Sequence, residues 1–122
     1  MKSILILLTA FIAASSVHAQ LANSKWRGTL QLDNPVEVIF DFGNDSLKCV
    51  VAADNSELET MNFTVKDSVL TLKKLYGQSN CDNSAGKYKF AVKDTELTLW
   101  LMEDSCVDRS SVLDNTKWKK EQ

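Results

Sequence analysis

A ten-residue word occurs twice in this chain of 122 residues. "FTVKDSVLTL", from Phe63 to Leu72, returns as "FAVKDTELTL", from Phe90 to Leu99, and a looser copy, "FDFGNDSLKC", starts at Phe40. Each copy has alternating apolar residues, a polar break at Lys-Asp or Gly-Asn-Asp, and a second alternating run. That order is the signature of a β-hairpin. Three hairpins in succession restrict the chain to an antiparallel meander.

Period-two alternation extends beyond the repeats. In "GKYKFAVKD" the residues Tyr88, Phe90 and Val92 alternate with lysines, and in "ETMNFTVKD" Met61, Phe63 and Val65 alternate with polar residues. Val36, Val38, Phe40 and Phe42 form a third apolar face. The pattern predicts eight half-buried strands. Their expected spans are Lys25–Leu32, Val36–Phe42, Ser46–Ala53, Leu58–Lys66, Val69–Leu75, Gly86–Lys93, Glu96–Met102 and Thr116–Lys120. A helical turn with Asp104 or Ser105 as its N-cap is expected before the last strand. Such an all-β chain closes most naturally into an eight-stranded antiparallel up-and-down barrel, because closure leaves no exposed edge. A β-sandwich is the alternative.

Closure would make the first and last strands neighbours. They carry nearly the same word, Asn23-Ser24-Lys25-Trp26 and Asn115-Thr116-Lys117-Trp118. Alternation puts Trp26 and Trp118 in the inward phase, with Gly28 leaving room for a ring. The two indoles are expected to meet at the seam and, with Arg109, to close one end of the barrel.

Residues 1–19 read as a secretory signal, with a basic start, an apolar run too short for a bilayer and a small-residue cleavage site before Gln20. Residues 20–122 would then form one domain. The expected location is secreted or periplasmic, with no membrane span. The whole chain has 14 Lys+Arg against 16 Asp+Glu, a net of −2. Segment 1–19 holds one lysine and the only histidine, so the remainder is one unit more negative. That balance argues against nucleic acid, which requires clustered positive charge.

Export implies an oxidising compartment, where three cysteines suggest one disulfide and one leftover thiol. Cys81 in "SNCDNSAG" and Cys106 in "EDSCVDR" lie in polar, loop-like contexts and form the expected pair. Cys49 lies in the strand-like "SLKCVVA" and is expected to be a buried free thiol. Lacking a histidine, the domain has no Ser-His-Asp or Cys-His arrangement and no imidazole ligand. Its carboxylates sit mostly in turn sequences, where Asp serves local hydrogen bonding. No enzyme, metal or cofactor is expected.

The C-terminal part resembles small secreted bacterial lipocalin-like (calycin) domains. The positions that carry the resemblance are Gly86, Tyr88, Leu97, Thr98, Leu99, Asp104, Cys106, Arg109 and Trp118. The resemblance implies an eight-stranded barrel and no catalytic residues. A barrel of this size admits its own side chains or one small ligand. The expected function is binding of a small apolar ligand, with Phe40, Cys49, Met61, Phe63, Tyr88 and Phe90 as candidate liners. Arg109 is expected to cap a barrel end, donating to carbonyls or a carboxylate and stacking on an indole. Alternatively, it anchors a ligand carboxylate. Trp100 and Met102 face outward if Leu97, Leu99 and Leu101 face inward, and line the interior if the phase is reversed. Exposed, they would suit a protein partner, the second functional reading.

Overall fold

The computed structural model describes residues 20–121, so the expected signal segment lies outside the described residues. The chain forms a closed barrel of eight antiparallel strands in sequence order. The strands are β1 (Lys25–Gln31), β2 (Pro35–Phe42), β3 (Ser46–Val51), β4 (Glu57–Lys66), β5 (Val69–Gly77), β6 (Ala85–Lys93), β7 (Glu96–Asp104) and β8 (Thr116–Lys120). One helix, α1 (Val107–Leu113), precedes β8. The sandwich alternative is excluded because β1 pairs with β8, Trp26 opposite Lys120 and Arg27 opposite Lys119.

The repeated word is a repeated register. Phe63 pairs with Leu72 and Val65 with Leu70. Phe90 pairs with Leu99 and Val92 with Leu97. In the looser copy, Phe40 pairs with Cys49 and Phe42 with Leu47. In each copy the first residue faces the tenth and the third faces the eighth, so one sequence pattern sets three hairpins. The tight turns use residues that tolerate left-handed backbone: Asp67 (φ 52°), Ser68 (φ 65°) and Asp94 (φ 57°).

Three of these turns, at 43–45, 67–68 and 94–95, lie at one end of the barrel, here the hairpin end. The longer connections and α1 lie at the other, the helix end. The core has one layer after another of inward side chains. Phe42 meets Phe63 edge to face at 4.9 Å between ring centroids, and Phe40 stacks on Trp118 at 3.9 Å. Tyr88, Leu70, Leu72, Leu97 and Leu99 are fully enclosed beside them.

The two tryptophan words share one structure. In each, a leucine ends a helical segment, and an asparagine two residues later takes left-handed backbone, Asn23 at φ 58° and Asn115 at φ 59°. This is how many helices are terminated. The next residue's hydroxyl then serves two partners. Thr116 donates to the Leu113 carbonyl at 2.7 Å and accepts from the Trp118 indole N–H at 2.9 Å. Ser24 donates to the Leu21 carbonyl and accepts from Trp26 at 2.8 Å. The word therefore encodes a turn from helix to strand that plants an indole in the core.

Gly28 lies against Trp118: a Cβ there would sit 2.5 Å from the indole Cε3. The absence of a side chain is what lets the ring lie across β1.

Three bulges interrupt the alternation. Leu58, Leu75 and Met102 are the extra residues in the β3–β4, β4–β5 and β6–β7 ladders. A bulge shifts the phase of everything beyond it. Leu97 and Leu99 point inward and Trp100 outward, as simple alternation demands. Past Met102, however, Asp104 faces Gly86 on the inward side.

Candidate functional site

The helix end holds two polar clusters and a cleft. The first cluster fastens α1. The Arg109 guanidinium grips the Asp104 carboxylate with two bonds, Nε to Oδ2 at 2.6 Å and Nη2 to Oδ1 at 2.8 Å. Its Nη2 also donates to the Ser84 carbonyl at 3.1 Å. The Tyr88 hydroxyl donates to Asp104, and the Cys106 backbone N–H reaches the same carboxylate at 2.9 Å. Both charged side chains are buried. Burial alone would raise the Asp104 pKa, but the Arg109, Tyr88 and Cys106 bonds together hold it below the usual carboxylate range. Burial pushes the Tyr88 phenol upward, and its bond to Asp104 adds to the effect.

This cluster corrects two expectations. Arg109 does not close an end together with Trp26 and Trp118. Its partners belong to the helix end, whereas Trp26 is the second residue of β1, packed toward the hairpin end with Lys120 over its ring at 5.9 Å. The indole N–H groups are bound to Ser24 and Thr116. The bulge at Met102 turns Asp104 inward, so Arg109 meets the carboxylate and the carbonyl expected of it at a barrel end, but neither indole. The helix N-cap is Cys106, not Asp104 or Ser105. Asp104 still receives the Cys106 N–H, from two positions before the cap.

The second cluster pins the β5–β6 connection. Glu59 points inward and accepts from the Ser79 backbone N–H at 3.1 Å and from the Ser79 hydroxyl. Lys74 donates to the Ser79 carbonyl at 2.6 Å and stands 3.9 Å from Glu59. The Cys81–Cys106 disulfide ties the same connection to the start of α1.

Between these clusters lies a cleft of about 550 Å³. Its walls are α1 (Asp108, Arg109, Val112), the β1–β2 connection (Leu32, Asp33) and Glu59 with Ser79. Phe40, Cys49 and Met61 form its floor. Of the six candidate liners, these three face the cleft. Phe63, Tyr88 and Phe90 are buried deeper in the core, Phe63 against Phe42 and Tyr88 against Asp104. The Cys49 thiol is pushed up to about 12, first by burial and then by the Glu59 charge, which keeps it protonated at neutral pH.

Glu59 and Lys74 were legible in the sequence and missed. Glu59 shares the phase of Met61, Phe63 and Val65, and Lys74 that of Leu70 and Leu72. Two opposite charges on the apolar phase of neighbouring strands signal a buried pair. Asp104 carried no such signal, because simple alternation puts it outside.

Among the described residues, no helix is long and apolar enough to cross a membrane. No group of three or more His, Cys, Asp or Glu side chains there is disposed to hold a metal ion. Compared with known proteins, the chain matches no family model, no curated protein sequence and no solved structure.

Proposed function

We propose that this barrel is a non-catalytic binding protein, related to the small secreted bacterial lipocalin-like domains, that holds a small and largely apolar ligand in the cleft at its helix end. The observation that carries the reading is the cleft itself. Its volume of about 550 Å³ is in the range of small-molecule sites, roughly 300–1,000 Å³, and its apolar floor is bordered by a few fixed polar groups, as such sites are. The disulfide is compatible with a location outside the cytoplasm, secreted or periplasmic. Phe40 touches both the cleft and Trp118, so indole fluorescence should report occupancy. Titration with fatty acids, retinoids and haem is expected to change the emission for at least one class; a flat response to all of them would sink the reading.

A second reading rests on Trp100, which is 38% exposed, and on Met102, which is 55% exposed. Together they offer an outward apolar contact for a protein partner. Under this reading, Trp100→Ala abolishes recovery of a partner from an envelope fraction and leaves ligand titration unchanged. Recovery that is indifferent to the substitution would remove it.

A further inference from the structure

Arg109 has a surplus donor. Its Nε and Nη2 are fully used on Asp104 and Ser84, but Nη1 is buried and has no hydrogen-bond partner among the described residues. The residue as a whole is 5% exposed and forms part of the cleft wall. A buried donor without an acceptor is costly, so a molecule that supplies the acceptor recovers that penalty on binding. Asp104, Ser84 and Tyr88 lie against the guanidinium on its other sides, and Arg109 lines the cleft, so an acceptor that reaches Nη1 comes from the cleft and shifts the side chain slightly to meet an atom closed to solvent at rest.

The charge around the cleft decides what kind of acceptor this is. The positive charge of Arg109 is already matched by Asp104, and that of Lys74 by Glu59. Asp33 and Asp108 add two further carboxylates to the wall. An incoming carboxylate or phosphate would meet a negative balance rather than a free cation. A carbonyl or hydroxyl oxygen would meet no such opposition. We propose, building on the cleft-binding reading, that the ligand is an uncharged amphiphile. Its carbonyl or hydroxyl oxygen accepts from Arg109 Nη1, and its hydrocarbon chain lies on Phe40, Cys49 and Met61. Hydroxyl groups beside that oxygen can donate to Glu59 or Asp108, which makes a glyceride-like or other polyol ester head the best match. The cleft therefore selects against free fatty acids of the same chain length.

The test uses three amphiphiles with one chain and different heads: decanoylglycerol, decanoate and decylammonium, each titrated into the purified protein near neutral pH. Tryptophan emission and native mass spectrometry provide the readouts. Decanoylglycerol is expected to bind at least about tenfold more tightly than decanoate, because both heads can accept from Nη1 but only the carboxylate is opposed by Asp33 and Asp108. Arg109→Lys keeps the charge and removes Nη1, and should lower decanoylglycerol affinity by about tenfold with little change for the other two. If that variant does not fold, the comparison of heads on the unaltered protein decides alone. Tightest binding of decanoate or of decylammonium would overturn the proposal, as would affinities within about threefold for all three; either result leaves the cleft reading standing. If none of the three binds, this proposal falls, and the titration with retinoids and haem decides the cleft reading.

Discussion

Single residues in this barrel act through close contact. Gly28 is the clearest case, because Trp118 occupies the space of its absent side chain. Gly28→Ala should destabilise the fold by about 1–3 kcal/mol through overpacking, seen as a lower denaturation midpoint. Asp104 is the most consequential charge. Asp104→Asn leaves Arg109 buried without its counterion, and should cost about 3–5 kcal/mol at neutral pH. The sign of the pH dependence follows from its lowered pKa. The carboxylate is stabilised relative to the unfolded chain, so its full contribution is present above about pH 4, near the unfolded value, and is lost as pH falls through the lower folded value. Acid unfolding curves of the native and Asp104→Asn proteins should therefore converge at low pH. Cys49 should resist alkylation in the native state at mildly alkaline pH and react fully in denaturant, since burial keeps the thiol protonated. Mass spectrometry of the labelled protein checks this directly.

At the scale of elements, two devices repeat. The hairpin word sets strand register three times, and the Asn-Ser/Thr-Lys-Trp word turns a helix into a strand twice. In the second device the hydroxyl is the hinge. Thr116→Val removes the donor to Leu113 and the acceptor for Trp118 together, and should cost about 1–3 kcal/mol, measured by chemical denaturation. Asn115→Val should also destabilise, because a β-branched residue is strained at positive φ. Outside the barrel, Arg27 clasps the seam, reaching Glu121 at 2.9 Å and Glu37 at 3.1 Å. Exposed pairs of this kind contribute little. The seam is held by the ladder and the buried indoles instead.

The whole molecule has two unlike ends. The hairpin end is closed by tight turns and packed aromatic rings. The helix end is held by buried charge, a disulfide and a helix, and it leaves a cleft. Replacing Cys81 and Cys106 by serine should lower stability by about 3.5 kcal/mol, in the chain-entropy account of a 25-residue loop. Denaturation midpoints with and without the substitutions test it. The same change should weaken the proposed ligand binding, because the disulfide ties the β5–β6 connection to α1, two walls of the cleft.

Local sequence determined a great deal of this protein. Alternation and turn residues specified the strands, the repeated register and the inward indoles, and the context of each cysteine specified the disulfide. These follow from rules with a range of a few residues: period two, turn chemistry and burial. The placement of Asp104, the grip on Arg109 and the division of the interior into a packed part and a cleft were decided only in the closed barrel. Each depends on which residue is extra in a ladder and on where a helix settles. Counting along one strand does not reveal a bulge, because the bulge is a property of two paired strands. Met102 is the extra residue that turns Asp104 inward, and the buried grip of Arg109 on Asp104 is its consequence.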